Sequence, residues 1–124
     1  MKYKLIQRRN PQRPGEAQKW YAARVHTGKI SQKDISDDIV ALSSLSRGDV
    51  SNVVDNLLDT IPKYLLLGKS VNLSGLGTFR LSFASAGAES PQDFKANMIS
   101  NIKIIFRPSV ELRNKIKQAK FERG

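Results

Sequence analysis

The sequence predicts an α+β fold: two helices, then a three-stranded antiparallel sheet, then a last helix, with an additional β-hairpin in front. Three observations predict it. Apolar residues recur at helical spacing between Ser31 and Gly68. They fall into short strands from Lys69 to Phe106. Serines, glycines and prolines punctuate both regions where starts and stops are needed. At 124 residues the chain has the size of one domain. Residues 1–28 read as a hairpin extension and residues 29–124 as the main unit.

The elements follow in order. Lys2–Arg9 alternates loosely and reads as a strand. Asn10-Pro-Gln-Arg-Pro-Gly15 is a turn cluster, and Lys19–His26 (KWYAARVH) is the returning strand. Ser31 is an N-cap, with Asp34 at the positive end of the helix dipole. Ile35, Ile39, Val40 and Leu42 form the first stripe. Ser46 caps a second helix striped by Val50, Val53, Val54, Leu57, Leu58, Ile61 and Leu65. Pro62 should kink that helix or loosen one turn, and Gly68 should stop it. Lys69–Leu73 and Thr78–Phe83 read as strands joined by a tight turn at Gly75 and Gly77. Residues 84–100 read as a long excursion or arm, small and polar. Asn101–Phe106 is the next strand, and Pro108 is expected to open the final helix as a first-turn proline. One chain supplies few helices to cover the sheet, so a dimer sharing one core is expected.

Composition narrows the function. There is no Cys, which excludes disulfides and Cys-based zinc sites and fits a cytoplasmic protein. The N-terminal residues lack the apolar run of a signal peptide, and no stretch is long and apolar enough to span a membrane. The net charge is +10, which implies an anionic partner, nucleic acid before a membrane surface. The charge is uneven. Residues 1–30 carry +7, residues 31–101 carry −2 and residues 102–124 carry +5. The binding face should therefore be built from the termini.

Catalysis finds no support. His26 is the only histidine, without a second His or a Cys to complete a metal site. Asp34, Asp37 and Asp38 sit at a helix start and read as dipole compensation. Ser31 and Ser46 are caps, with no His spaced to activate them. Trp20 and Tyr21 read as packing residues before they read as base-stacking ones. The Gly75-Leu-Gly77 turn lies between strands, which argues against a nucleotide loop. No small-molecule substrate and no cofactor is expected. The Phe106-Arg-Pro-Ser109 junction is different. A helix start there offers free N–H groups beside Arg107, an arrangement suited to phosphate.

These residues also carry a resemblance. Gly75-Leu-Gly-Thr-Phe79, after two helices, resembles the "G-F-G-T-F" hairpin of the HU/integration host factor family of bacterial histone-like DNA-binding proteins. Phe106-Arg-Pro-Ser109 with Leu112-Arg113 looks like that family's "F-[KR]-P-G-x-x-L-[KR]" element, and Lys103 matches its "I-K-[IV]" strand. The resemblance spans about residues 31–121. The leading hairpin is similar to that of longer histone-like proteins of the Bacteroides group.

The resemblance implies an intertwined dimer that binds double-stranded DNA in the bacterial nucleoid. It also implies two β-arms embracing the minor groove, each with a proline near its tip that wedges between base pairs and bends the DNA. Pro91 stands where the family has that proline. The arm departs from the family: it holds one Lys, Lys95, against Glu89 and Asp93, where the family is rich in Arg and Lys. A minor groove attracts cations, so such an arm should enter it poorly.

Charge and resemblance together nominate Lys69, Arg80, Pro91, Lys95, Lys103, Arg107, Pro108, Ser109, Arg113, Lys115 and Lys117, with Arg8, Arg9 and Arg13 from the hairpin. Contacts of this kind go to phosphates and read no sequence. Binding is expected to be largely nonspecific. Two alternatives stay open: a scaffolding protein of the same fold that has lost DNA, and duplex RNA as the ligand.

Overall fold

Serine side chains start the first two helices. In the computed structural model, which describes residues 1–124, α1 spans Gln32–Leu42 and α2 spans Arg47–Leu65. Ser31 Oγ accepts from the Asp34 N–H, and the Ser31 N–H donates back to Asp34 Oδ2 at 3.0 Å. Ser46 and Asp49 repeat this closed box at the head of α2. Each box satisfies two N–H groups, one at the cap and one in the open first turn. The Ser31 N–H and hydroxyl hold the Asp34 carboxyl below its usual pKa, the backbone bond contributing most. Helix α2 continues through Pro62 for one further turn. It then closes at Gly68, whose φ is 83°. The Gly68 N–H donates to Leu65 O at 3.0 Å and the Lys69 N–H to Tyr64 O at 3.2 Å, the paired bonds of a Schellman closure.

The leading hairpin pairs β1 (Lys2–Arg8) with β2 (Lys19–Arg24) antiparallel, from Tyr3 opposite Arg24 to Arg8 opposite Lys19. A second antiparallel sheet runs β3 (Val71–Leu73), β4 (Gly77–Ser85), β5 (Ile99–Pro108), in that spatial order. Gly75 at φ 82° and Gly77 at φ 153° make the β3–β4 turn. A Cβ on Gly77 would collide with the Arg107 carbonyl oxygen, so only glycine lets β4 and β5 meet there. The β4–β5 register slips between Ser82 and Ala84. Two β5 residues, Asn101 and Ile102, then oppose Phe83. Asn101 takes φ 56°, a conformation Asn tolerates better than most residues.

Three expectations need correction. Pro108 does not open the last helix. It ends β5 opposite Gly77, where a residue without an N–H fits. Ser109 is the cap, and α3 spans Val110–Ile116. The arm is also shorter than a run over residues 84–100. Strand β4 reaches Ser85 and β5 starts at Ile99. Between them lie two 3₁₀ turns, Pro91–Asp93 and Ala96–Met98. Lastly, the hairpin does not stand alone. A strand β6, Glu122–Arg123, joins β1 in parallel and makes a three-stranded sheet, β2-β1-β6.

The core is thin. Val50 and Leu65 are the only apolar side chains buried within the chain, at 2% and 4% exposure. Val50 and Leu65 lie on α2, and the buried Ser36 lies on α1. No helix is long and apolar enough to cross a membrane.

Candidate nucleic-acid interface

Strand pairing decides which charges stand together. Residues directly opposite in a sheet share a face, and neighbours along a strand point to opposite faces. The β4–β5 register sets Thr78 opposite Arg107, Arg80 opposite Ile105 and Ser82 opposite Lys103. Asn72 on β3 lies opposite Thr78. One face therefore carries Arg80, Lys103 and Arg107 among Asn72, Thr78 and Ser82. Asn72 Nδ2 donates to Thr78 Oγ1 at 2.8 Å, which ties the polar row across β3 and β4. The other face carries Val71, Phe79, Leu81, Ile104 and Phe106, with the Phe79 and Phe106 rings 4.7 Å apart.

Arg80, Lys103 and Arg107 are exposed. The chain's ion pairs are Arg13–Glu16, Lys33–Asp37 and Arg47–Asp37, so none of the three has a carboxylate partner. Unpaired, exposed cations of one sign on a flat face are what a polyanion needs.

Helix α3 follows at once. Ser109 Oγ accepts from the Leu112 N–H at 3.0 Å, and the Ser109 N–H donates to Leu76 O at 2.9 Å. The Arg113 N–H donates to Ser109 O at 3.0 Å. Glu111 sits in the first turn, with its carboxylate beside Gly75. The protein's own groups thus occupy much of a helix start that the sequence offers to phosphate. The charges of α3 lie further on: Arg113, Lys115 and Lys117 are all exposed.

The other nominated residues scatter. Lys69 follows the α2 closure, with its Nζ 6.0 Å from the Tyr64 ring centre. Pro91 and Lys95 lie at the far end of the β4–β5 pair. Pro91 begins a 3₁₀ turn that Ser90 caps by accepting from the Asp93 N–H at 3.3 Å. Arg8 ends β1 and Arg9 follows it. Arg13, in the hairpin turn, bonds Glu16 at 3.1 Å. Sequence reasoning passes over Asn72, Thr78 and Ser82. Only the register, which links β4 to β5 across the arm, puts them beside the cations.

Comparison with known proteins now decides the family. The family described as "HU domain fused to wHTH, Ig, or Glycine-rich motif" (HU-HIG) matches residues 1–123. The chain belongs to the HU-HIG family. Curated relatives of this HU-HIG chain include the DNA-binding protein HU of Thermotoga maritima, 29% identical over 90 residues, 71% of this chain and 100% of that protein. Another is integration host factor subunit alpha of Haemophilus influenzae, 31% identical over 93 residues, 73% of this chain and 97% of the relative. The first of these relatives is a DNA-binding protein by name.

Two solved structures show the shared fold. A crystal structure of a putative bacterial DNA-binding protein from Bacteroides vulgatus matches with TM-score 0.66 at 18% identity. The match covers 98% of this chain but 47% of that one, so the HU-HIG chain spans under half of its length. An Anabaena HU–DNA cocrystal structure matches with TM-score 0.57 at 18% identity, over 73% of this chain and 100% of the other.

Proposed function

We propose that this chain is a non-enzymatic, nucleoid-associated protein that binds double-stranded DNA as a homodimer, largely without regard to sequence. One observation carries the reading: Arg80, Lys103 and Arg107 share one exposed face of β4–β5, unpaired by any carboxylate, in a chain of the HU-HIG family. Their long side chains contact phosphates, with Arg113, Lys115 and Lys117 of α3 extending the contact and Lys69 at its margin. Each phosphate neutralised steepens the fall of log K with log salt by about 0.9. The relative named as a DNA-binding protein supports the same ligand. Residues 29–124 act as the DNA-binding unit and residues 1–28 as an accessory to it.

Surface area supports the dimer. A folded monomer of 13.9 kDa is expected to expose about 6,700 Å². This chain exposes 10689 Å². The excess includes Val53, Leu58, Phe83 and Ile104, each more than half exposed. Obligate homodimers bury about 2,000–5,000 Å² in total, or about 1,000–2,500 Å² per chain, which would absorb part of such an excess. A second copy set against α2 and the apolar sheet face would complete the core.

The arm contributes little to binding. It has one lysine against two acids, and its proline is held in a capped turn. That same composition favours the competing reading, an interaction protein that keeps the fold and has lost DNA. Titration of two unrelated DNA duplexes at ~100 mM salt, and again at lower salt, separates the two. Similar affinities for both duplexes are expected. Absence of binding even at the lower salt would overturn the DNA reading.

A further inference from the structure

The leading hairpin carries a second ordered set of cations. In β1, Lys2, Lys4, Ile6 and Arg8 point to one face. The β1–β2 register sets Ala23 opposite Lys4, Tyr21 opposite Ile6 and Lys19 opposite Arg8. Lys2, Lys4, Arg8 and Lys19 therefore stand on one face of the sheet, all exposed, with the single acid Glu122 of β6 opposite Lys2 at one end. None of them belongs to any of the chain's ion pairs. The opposite face carries Tyr3, Leu5, Trp20 and Ala22 in its middle, with Arg24 and Arg123 flanking Tyr3 at one end. Lys2 to Arg8 spans about 20 Å at ~3.4 Å per residue, a row long enough to follow several phosphates of one strand.

This sheet is also where the two ends of the chain meet. The Met1 ammonium donates to Lys120 O at 2.6 Å, the Glu122 N–H to Met1 O at 3.0 Å and the Gly124 N–H to Tyr3 O at 2.9 Å. Strand β6 begins six residues after α3 ends. The segment that carries +7 is thus fastened to the segment that carries +5.

We infer that the basic face of the β2-β1-β6 sheet is a second phosphate-binding surface for duplex DNA, formed by Lys2, Lys4, Arg8 and Lys19. It rests on the DNA reading above and adds a contact that the β4–β5 face does not make. Arg9 and Arg13 fall outside it: Arg9 lies beyond the strand, and Arg13 is held by Glu16.

The test uses the full chain and a long nonspecific duplex, with binding followed across a salt series. The variant is Lys4→Gln/Arg8→Gln/Lys19→Gln. Its salt slope is expected to be shallower than wild type by about 2.7 for each copy of the sheet that touches DNA, at 0.9 per phosphate. The charge-preserving variant Lys4→Arg/Arg8→Lys/Lys19→Arg keeps the wild-type slope, and circular dichroism shows all three proteins folded alike. A wild type that binds, with an unchanged slope in the Gln variant, overturns this surface and leaves the DNA reading standing. A wild type that fails to bind at any salt overturns the DNA reading itself. Equal loss in both variants assigns these positions to folding and overturns the surface. So does an unchanged DNA slope in a Gln variant that no longer binds vesicles of anionic lipid.

Discussion

Replacing Gly77 by Ala perturbs the point where β4 leaves its turn and meets β5. Gly77 holds φ at 153°, a conformation L side chains avoid. A Cβ there would also lie 2.7 Å and 2.9 Å from Cε2 and Cζ of Phe106, and against the Arg107 carbonyl oxygen. The ring packs on Phe79 with centroids 4.7 Å apart, so moving it aside would disturb that contact. The carbonyl is not free to move, because it belongs to the β5 backbone. Backbone strain of this type costs about 1–3 kcal/mol, and overpacking about 1–3 kcal/mol more. The expected loss is about 2–6 kcal/mol. At roughly 4 °C per kcal/mol for a domain of this size, the melting temperature should fall by about 8–24 °C.

Thermal or urea unfolding at matched protein concentration is the assay, since a dimer's stability depends on concentration. Gly87→Ala is the control. It has no neighbour within 4 Å of its would-be Cβ and no positive φ. That change should stay within about 0.5 kcal/mol of wild type. A Gly77→Ala protein as stable as the control would refute the claim that glycine is required where β4 approaches β5.

Three further outcomes follow from the same geometry. The Ser31 bonds hold the carboxyl of Asp34 below its usual pKa, so its stabilising effect is complete above about pH 5 and is lost as pH falls through the lowered value. Ser31→Ala should remove that part of the acid dependence and cost about 1 kcal/mol near neutral pH; an unchanged acid unfolding profile would contradict it. Pro91→Ala should change DNA bending little, measured by energy transfer between duplex ends, and a large loss of bending would show that the arm enters the groove despite its charge. Thermal unfolding should shift upward with protein concentration, as expected for subunits that share a core; a concentration-independent midpoint with a monomeric mass in solution would contradict the dimer.

Much of the fold was legible because local signals agreed. Ser31, Ser46 and Gly68 fix helix ends by hydrogen bonds that depend only on nearby residues. Pro108 misled because one signal serves two structures. A fixed φ and a missing N–H suit a helix's first turn and also the end of a strand. Strand β6 left no trace because two residues, Glu122 and Arg123, cannot show alternation. The turns within residues 86–98 escaped notice because small polar residues carry no periodicity, and their hydrogen bonds arise from Ser90 and Lys95 locally.

The site shows the same division. Lys103 and Arg107 are four residues apart on one strand, so their common face can be read directly. Arg80 joins them only through the β4–β5 register, which spans the whole arm. The meeting of the two basic ends depends on β6, and so on pairing between residues more than a hundred positions apart.

The central claim is that the β4–β5 face holds DNA by phosphate contacts. The most direct measurement is the salt dependence of duplex binding by the full chain and by Arg80→Gln/Lys103→Gln/Arg107→Gln, on two unrelated sequences. The account predicts weaker binding to both sequences alike and a slope shallower by about 2.7 for each engaged copy. A folded variant with wild-type affinity and slope would contradict it.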